Sequence, residues 1–157
     1  MTFMLVMLGM VGPLALQIFL PSMPGLVDEF NTTPAAVQLT ISLYVGAFAF
    51  AQLAYGPISD RFGRRRVILV GLAIYVTAPV VCATAENIET LAAGRALQAI
   101  GGCAGLMFAR VIARDLYDRN RAAGVIGFVT MTTALIGSAT PILGGWIDVS
   151  FGWRLSF

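Results

Sequence analysis

The sequence predicts an all-α integral membrane protein, and three observations carry this prediction. Only 11% of the 157 residues are charged and 58% are hydrophobic, whereas globular proteins carry about 25% charged residues. The mean hydropathy is +0.84. Residues 1–27, 30–59, 67–85 and 122–147 contain no charged side chain, and a membrane-spanning helix needs about 20 mostly apolar residues.

A fifth span is predicted between two arginines. Residues 96–109 carry no charge and lie between Arg95 and Arg110. We therefore expect residues 1–157 to form one transmembrane bundle of five helices, with the start of a sixth at Arg154. The helices are expected near residues 3–25, 36–58, 67–85, 91–112 and 123–147. Because Phe157 would lie only three residues into the sixth helix, we expect the chain to be part of a longer protein.

Residue types that are missing from the sequence exclude several kinds of chemistry. There is no histidine, which excludes a histidine general base, a nucleophilic triad and an imidazole metal site. Cys82 and Cys103 lie in apolar surroundings and form no CxxC pair, which is typical of buried structural cysteines. The net charge of +2 is too small to indicate nucleic-acid binding, and no nucleotide-binding fingerprint is present. We expect no enzyme activity, no metal and no cofactor.

Arginines are distributed unequally between the two ends of the predicted bundle. The second and fourth connections between spans carry eight of them: Arg61, Arg64, Arg65, Arg66, Arg110, Arg114, Arg119 and Arg121. The opposite end carries one, Arg154. Because positively charged connections stay in the cytoplasm, the sequence predicts a multi-pass protein of the inner or plasma membrane with a cytoplasmic N-terminus.

The connection between the second and third spans is the most specific string in the sequence. It reads GPISDRFGRRR at residues 56–66. Gly63 permits a tight turn, and Pro57 is expected to loosen the end of the second span. Asp60 places a carboxylate among four arginines, where it can form an ion pair or cap a helix. A solvated basic turn that only enforces topology explains the same residues.

Arg95 is a charged residue inside a predicted span. A charge at the centre of a membrane helix costs about 3 kcal/mol by insertion scales unless it finds water or a partner. Arg95, Gln98, Gly102 and Gly105 recur at helical spacing and form a face suited to a cavity wall. Arg95 also lies about four residues from the predicted helix start, so the alternative is that its side chain extends to the membrane surface.

The second span has a face of polar and small residues, called here the polar stripe: Gln38, Ser42, Val45, Ala49 and Gln52. Both a transport pathway and helix packing fit this stripe. We favour a pathway role for Gln38 and Gln52 and packing for Ala49. Tyr44 lies beside the stripe and can stack on an aromatic substrate, although a single aromatic in a membrane helix more often packs against its neighbours.

These strings together resemble the major facilitator superfamily. Residues 56–65 match every position of its GxxxDRxGRR signature. Residues 16–24 and 109–116 resemble the bicyclomycin/chloramphenicol-resistance branch of drug–proton antiporters, and the pair Arg95 and Gln98 is similar to the superfamily's fourth-span motif. Such transporters have twelve spans in two six-helix halves. The resemblance therefore implies the N-terminal half of a major facilitator fold, with a missing C-terminal half as its partner.

For the signature string, the resemblance implies a cytoplasmic latch that switches conformation. Asp60 would meet a helix of the other half of the transporter, and Arg64 would pair with Asp115. The residues assigned to this latch are Gly56, Asp60, Arg61, Gly63, Arg64, Arg65 and Asp115.

The resemblance also gives Arg95 a part in proton coupling, through its effect on the protonation of a nearby carboxylate. The branch commonly has an aspartate in the first span where this sequence has Gln17, which cannot titrate. No acidic residue lies at the centre of a predicted span. The carboxylate would therefore lie in the missing half, or transport differs from that of the family. Gln17 is either a pathway residue or a contact between helices.

The fifth span carries the string GSATPILGG. Gly137, Pro141 and Gly144 lie on one helix face, which predicts a smooth ridge and a kink. The string resembles the antiporter motif GPxxGG, which bends the fifth span in the family and favours export over uptake. Gly145 also matches that motif, whereas Thr140 replaces a glycine. A packing kink without directional meaning is the alternative.

We therefore predict a secondary active exporter of drugs or other small amphipathic molecules that works by alternating access and is driven by a proton gradient. One alternative is an importer or metabolite exporter of another branch. Another is a non-transporting membrane fragment or assembly subunit. The expected partners are a small-molecule substrate, protons, the lipid bilayer and the missing C-terminal half, with no nucleic acid.

Overall fold

The structure is a computed structural model that describes residues 2–153, apart from the side chains of residues 2, 119, 120 and 151. Its helices are α1 (Thr2–Phe19), α2 (Met23–Glu29), α3 (Pro34–Phe62), α4 (Arg64–Ala83), α5 (Ile88–Leu116) and α6 (Arg119–Phe151), and a 3₁₀ turn at Leu20–Ser22 joins α1 to α2. Five spans are long and apolar enough to cross a membrane. The predicted all-α membrane fold with five transmembrane helices is confirmed, and the predicted sixth helix lies outside the described residues.

Helix starts follow the local sequence. The side chain of Thr33 accepts a hydrogen bond from the Ala36 backbone N–H at 3.3 Å, and Pro34 occupies the first turn of α3. The side chain of Asn87 accepts one from the Thr90 N–H at 2.8 Å. Both residues therefore cap an N-terminus whose first N–H groups have no partner within the helix.

The connection between α3 and α4 differs from the predicted one. Instead of a loop between residues 58 and 67, it is the single residue Gly63, with φ +87°. The helix α3 continues through Pro57 to Phe62, so Pro57 does not end it. Hydropathy marks where apolar residues stop, whereas the backbone continues its helical hydrogen bonds into the charged string. Gly63 breaks them because it adopts a positive φ at little steric cost.

The first span also differs from the single helix expected near residues 3–25. It is divided by the 3₁₀ turn, and Pro21 and Pro24 are the second residues of that turn and of α2. Proline has no backbone N–H to donate, so neither residue can close a regular helical hydrogen bond four residues back. The chain tightens there and then resumes as a short helix.

Helix α5 forms the centre of the bundle. It packs against α1, α3 and α4, whereas α6 packs mainly on α1 and the 3₁₀ turn. Over an apolar stretch of each span, 56% of the α5 residues are buried but only 17% of the α6 residues. The sequence of α5 explains this position, because glycine and alanine dominate its middle and small residues let neighbouring backbones approach closely.

The glycines of α5 set the spacing of its neighbours. A Cβ atom at Gly101 would lie 2.5 Å from the backbone N of Tyr75 in α4, and one at Gly102 would lie 2.8 Å from the Cα of Gly12 in α1. A Cβ atom at Gly105 would lie 2.5 Å from the carbonyl oxygen of Leu8. These distances are too short for any side chain, so α5 touches α1 and α4 backbone to backbone.

Three tyrosines cross-link the helices by their hydroxyl groups. Tyr44 donates to the Gly12 carbonyl at 2.8 Å, Tyr55 to the Ile100 carbonyl at 2.9 Å, and Tyr75 to the Val11 carbonyl at 2.9 Å. A hydroxyl in an apolar interior is costly unless it is hydrogen-bonded. Each bond therefore satisfies a buried polar group while it ties α3 or α4 to α1 or α5.

Candidate functional site

Arg95 is completely buried, with 0% of its surface exposed. It lies seven residues after the start of α5, or roughly 10 Å along the helix at about 1.5 Å per residue. Its Nη1 donates to the carbonyl oxygen of Ala15 in α1 at 3.0 Å and to Oε1 of Gln98 at 2.7 Å. The alternative in which Arg95 extends to the membrane surface is therefore wrong, because the side chain points into the bundle and is covered there.

Two aromatic rings enclose the same guanidinium group. The Cζ atom of Arg95 lies 4.4 Å from the ring centroid of Phe19 in α1 and 4.5 Å from that of Tyr44 in α3. At this distance the electron-rich face of a ring attracts the cation, and the attraction strengthens when water is excluded. Together with Ala15 and Gln98, these residues form what we call the Arg95 cluster, which joins α1, α3 and α5.

The ring of Tyr44 is not positioned to stack on an aromatic substrate. Its side chain is 2% exposed, one face of its ring lies against Arg95, and its hydroxyl group bonds to Gly12. The ring also stacks on Phe48, with 6.4 Å between centroids. Tyr44 is therefore a packing residue of the bundle, because its ring and its hydroxyl group are both occupied by α1, α3 and α5.

Gly102 and Gly105 do not line a cavity with Arg95, as their shared helix face suggested. Both approach the backbone of α1, as described above. The face of α5 that carries Arg95 thus meets α1 at Arg95, Gly102 and Gly105. Helical spacing identified one face of α5, but it could not distinguish a cavity wall from a close helix contact, since small residues suit both.

Gln17 belongs to α1, and its side chain lies against α6. Its side chain is half-buried, and its Nε2 atom lies 2.6 Å from the position that a Cβ atom at Gly137 would occupy. A residue larger than glycine at position 137 would displace this amide. The structure therefore brings Gln17 together with the string in α6, a pairing that the spacing of residues along the chain does not indicate.

The string in α6 packs against the first span. A Cβ atom at Gly144 would collide with the carbonyl oxygen of Ile18, and one at Gly145 would lie 3.6 Å from the Cβ of Pro21. The helix runs unbroken past Pro141. Thr140 is buried and donates to the Ile136 carbonyl at 2.7 Å, so it occupies its position without an unsatisfied hydroxyl group. Gly137 and Gly144 thus form a ridge that lies on α1.

The polar stripe of α3 faces away from the bundle. Gln38, Ser42, Val45, Ala49 and Gln52 are all exposed in the described part of the chain. Ser42 directs its hydroxyl group to the Gln38 carbonyl of its own helix at 3.3 Å. The stripe is therefore exposed to whatever lies beside α3, and the packing role of Ala49 stays a prediction.

The signature string lies at the end of the bundle that carries eight arginines, called here the arginine-rich end. Arg64, in the first turn of α4, forms an ion pair with Asp115, in the last turn of α5. The two side chains are 52% and 54% exposed. The family resemblance implied this pairing. It joins α4, which follows the first charged connection, to α5, which precedes the second.

Other residues of the string are exposed at the same end. Asp60 makes no ion pair with any side chain that the structure describes, and Arg61 and Arg65 are exposed on either side of Gly63. A Cβ atom at Gly56 would meet no atom within 4 Å, so Gly56 is not required for packing among these helices. The carboxylate of Asp60 is consequently accessible to a further helix or to solvent.

Acidic residues are confined to the ends of the helices. All eight lie in a first or last helical turn or in a connection between helices.

Phe19 and the Ala15 carbonyl are the members of the Arg95 cluster that could not be identified from the sequence. Nothing in the sequence distinguishes Phe19 from the other apolar residues of the first span, and a backbone carbonyl leaves no sequence signal.

Comparison of the sequence with known proteins identifies its family. A model of the Major Facilitator Superfamily matches residues 5–157. The chain is 36% identical over 154 residues to multidrug resistance protein D of Escherichia coli strain K12, an alignment that covers 98% of the chain and 39% of that protein.

Two further relatives give similar values. The chain is 34% identical over 149 residues to a chloramphenicol resistance protein of Pseudomonas aeruginosa, covering 94% of the chain and 36% of that protein. It is 32% identical over 150 residues to multidrug resistance protein MdtL of Escherichia coli O81 strain ED1a, covering 96% and 38%. The chain thus spans less than two fifths of the length of each of these three relatives.

Proposed function

Because the chain belongs to the Major Facilitator Superfamily, a family of transporters and not of enzymes, we propose that it forms part of a secondary active exporter of drugs or other small amphipathic molecules. The observation that carries this proposal is the similarity over nearly the whole chain to proteins named for multidrug and chloramphenicol resistance. The export itself would proceed by alternating access between two helical halves.

The Arg95 cluster supports a fixed role for α1, α3 and α5 in this cycle. Its guanidinium group is held by a carbonyl, an amide and two rings, so these three helices would move as one body. In proton coupling, the buried positive charge would favour the ionised form of any carboxylate brought near it. Since the acids of this chain lie at helix ends, that carboxylate would come from another part of the transporter.

The arginine-rich end supports a latch between the two halves. Arg64 is neutralised by Asp115, whereas Asp60 is exposed and makes no ion pair in the described chain. In the proposed latch, Asp60 meets the N-terminus of a helix in the other half, where the helix dipole attracts a negative charge. Gly56, Arg61, Gly63 and Arg65 would complete the latch around it.

The polar stripe and Gln17 are the proposed walls of the pathway. Gln38 and Gln52 are exposed on α3, and in this proposal they offer amide groups to a substrate or to the facing half of the transporter. Gln98 would act indirectly, by holding Arg95. Gly137, Pro141, Gly144 and Gly145 would maintain the close contact of α6 with α1 that seals the pathway.

The arginine-rich end supports the proposed orientation in the membrane. Because positively charged connections stay in the cytoplasm, we place this end, and with it the N-terminus, on the cytoplasmic side of the inner or plasma membrane. A cysteine introduced in place of exposed Asp118 would then be labelled by a membrane-impermeant maleimide in everted vesicles and protected in intact cells.

Transport by the complete gene product tests the exporter. Everted membrane vesicles that contain it should accumulate labelled chloramphenicol when energised, and an uncoupler should abolish this accumulation. Accumulation that is unaffected by the uncoupler would contradict proton coupling. An importer or metabolite exporter of another branch, which the replacement of the expected acid by Gln17 favours, would not accumulate the drug. A non-transporting assembly subunit would show no transport at all.

The latch has its own test. Cells that express the Asp60→Asn variant should lose drug resistance, because an amide carries no charge to meet a helix dipole. Asp118→Asn is the matched control, since Asp118 is an exposed acid at the same end whose side chain makes no capping bond. Equal resistance of the Asp60→Asn variant and the unchanged protein would overturn the latch.

A further inference from the structure

A groove separates α3 from α4 on the outside of the bundle, at the arginine-rich end. Its volume is about 530 Å³, within the range of roughly 300–1,000 Å³ that is usual for small-molecule sites. Ala54 and Ile58 line the α3 side, Val70 and Ile74 line the α4 side, and Arg66 lies at the mouth. Apart from that arginine, every residue that lines the groove is apolar or aromatic.

The groove exists because α3 and α4 diverge from the one-residue connection at Gly63. Each helix packs on α5 and makes few contacts with the other. Ile100 of α5 forms part of the floor, and the hydroxyl group of Tyr55 bonds to the Ile100 carbonyl at 2.9 Å. The floor therefore presents no unsatisfied polar group to an occupant, which makes it suited to a hydrocarbon chain.

The charge at the mouth is not neutralised by the described part of the chain. Arg66 is exposed and makes no ion pair among the described side chains, whereas its neighbour Arg64 pairs with Asp115. An arginine guanidinium group presents a planar set of N–H donors that matches the oxygen atoms of a phosphate. The mouth is thus complementary to an anionic head group.

The length of the groove suits an acyl chain. Its lining extends from Phe50 to Phe62 on α3 and from Arg66 to Ile74 on α4, which is about 18 Å and about 12 Å at ~1.5 Å per residue. Both lengths are close to the roughly 15 Å of one leaflet's hydrocarbon layer, so an acyl chain can lie along the groove.

From this geometry we propose that the groove binds an anionic phospholipid of the cytoplasmic leaflet, with one acyl chain between α3 and α4 and its phosphate on Arg66. The site goes beyond the proposed export function and depends only on the orientation given above. Anionic lipids of that leaflet attract arginines at the membrane surface, and burial of the acyl chain against apolar side chains adds a hydrophobic contribution.

Native mass spectrometry of the full-length gene product tests the site. The detergent-purified protein is mixed with phosphatidylglycerol or with phosphatidylcholine, and the lipid-bound fraction is measured for three variants. Arg66→Gln removes the charge at the mouth, Ala54→Trp fills the groove, and Arg65→Gln is the matched control because Arg65 is an exposed arginine of the same turn that does not line the groove.

Phosphatidylglycerol should bind in preference to phosphatidylcholine, and Arg66→Gln should lower its binding about fivefold. Ala54→Trp should lower the binding of both lipids, whereas Arg65→Gln should leave it unchanged. An equal loss in the Arg65→Gln and Arg66→Gln variants would overturn the proposal, because it would show diffuse attraction to the arginine-rich end. Undiminished binding in a folded Ala54→Trp variant would also overturn it. If that variant does not fold, the comparison of the two arginine variants decides.

Discussion

Arg64 and Arg95 both join separate helices, yet their surroundings are opposite. Arg64 is about half exposed and meets a carboxylate, whereas Arg95 is fully buried and meets a carbonyl, an amide and two aromatic rings. An exposed ion pair contributes about 0–1 kcal/mol because water competes for both charges. A buried charge is costly to desolvate, so its contacts must all be present.

The two arginines therefore differ in how readily their contacts can break when the helices move. A weak, exposed pair such as Arg64–Asp115 can open and re-form when helices move. The Arg95 cluster cannot open without leaving a charge in an apolar interior. We therefore expect the arginine-rich end to be the adjustable part of the bundle and the Arg95 cluster to be the rigid part.

The largest effect is expected from removal of the buried arginine. Arg95→Ala should lower the free energy of unfolding in detergent by about 3–5 kcal/mol, since the substitution removes every contact of the cluster and leaves a cavity. Unfolding by added SDS, followed by tryptophan fluorescence, measures the change. Gln52→Ala, at an exposed position on α3, is the control. An effect of Arg95→Ala no larger than that of the control would remove the distinction between the two arginines.

A smaller loss is expected from a methyl group on the close-packed face of α5. Gly101→Ala should destabilise the protein by about 1–3 kcal/mol, because the added carbon overlaps the α4 backbone at Tyr75. Gly124→Ala in α6 is the matched control, since its Cβ atom would meet no atom within 4 Å. Thermal unfolding of both variants measures the difference, and equal midpoints would show that rigidity around Arg95 does not depend on this helix contact.

Removal of one hydroxyl group tests the cluster more finely. Tyr44→Phe should cost about 1 kcal/mol, because it removes the hydrogen bond to Gly12 but keeps the ring that lies on Arg95. Tyr44→Leu should cost more, since it also removes the ring. The two free energies of unfolding are compared under the same conditions. If the leucine variant is as stable as the phenylalanine variant, the ring contributes nothing to holding Arg95.

The smallest effect is expected at the exposed pair. A double-mutant cycle of Arg64→Ala and Asp115→Ala should give a coupling energy of about 0–1 kcal/mol. This coupling should fall as salt is raised from 0.01 M to 1 M, because ions screen exposed charges. The same salt change should leave the cost of Arg95→Ala unaltered. A coupling above 3 kcal/mol would mean that Arg64 is as tightly held as Arg95.

Much of the fold was predictable from the distribution of charge. Long uncharged stretches identified the spans, and the lipid core requires each stretch to be helical. The Arg64–Asp115 pair was implied by the family resemblance. The helix ends were predicted less well, since α3 passes Pro57 and stops only at Gly63, and hydropathy carries no information about helices beyond the apolar layer.

The residues that form the site could largely be predicted, whereas the contacts that each of them makes could not. Arg95 was identified because a charge inside an apolar span is unusual, and Gln98 because it lies one turn further along. The roles of Tyr44 and of Gly102 were not predictable, because a ring or a glycine suits a pathway and a packed interface equally. Only the neighbouring helices distinguish these possibilities.

The amino-acid sequence alone determined that this chain is a multi-pass membrane protein, where five apolar spans lie, and which end of the bundle carries the arginines. These properties follow from the transfer of each residue between water and lipid, which depends on its own chemistry and on its nearest neighbours in the chain. The tertiary structure alone decided that Arg95 points inward between Phe19 and Tyr44 and that the polar stripe points outward. Those outcomes depend on how α1, α3 and α5 approach one another, and that approach is set by contacts between residues far apart in the sequence.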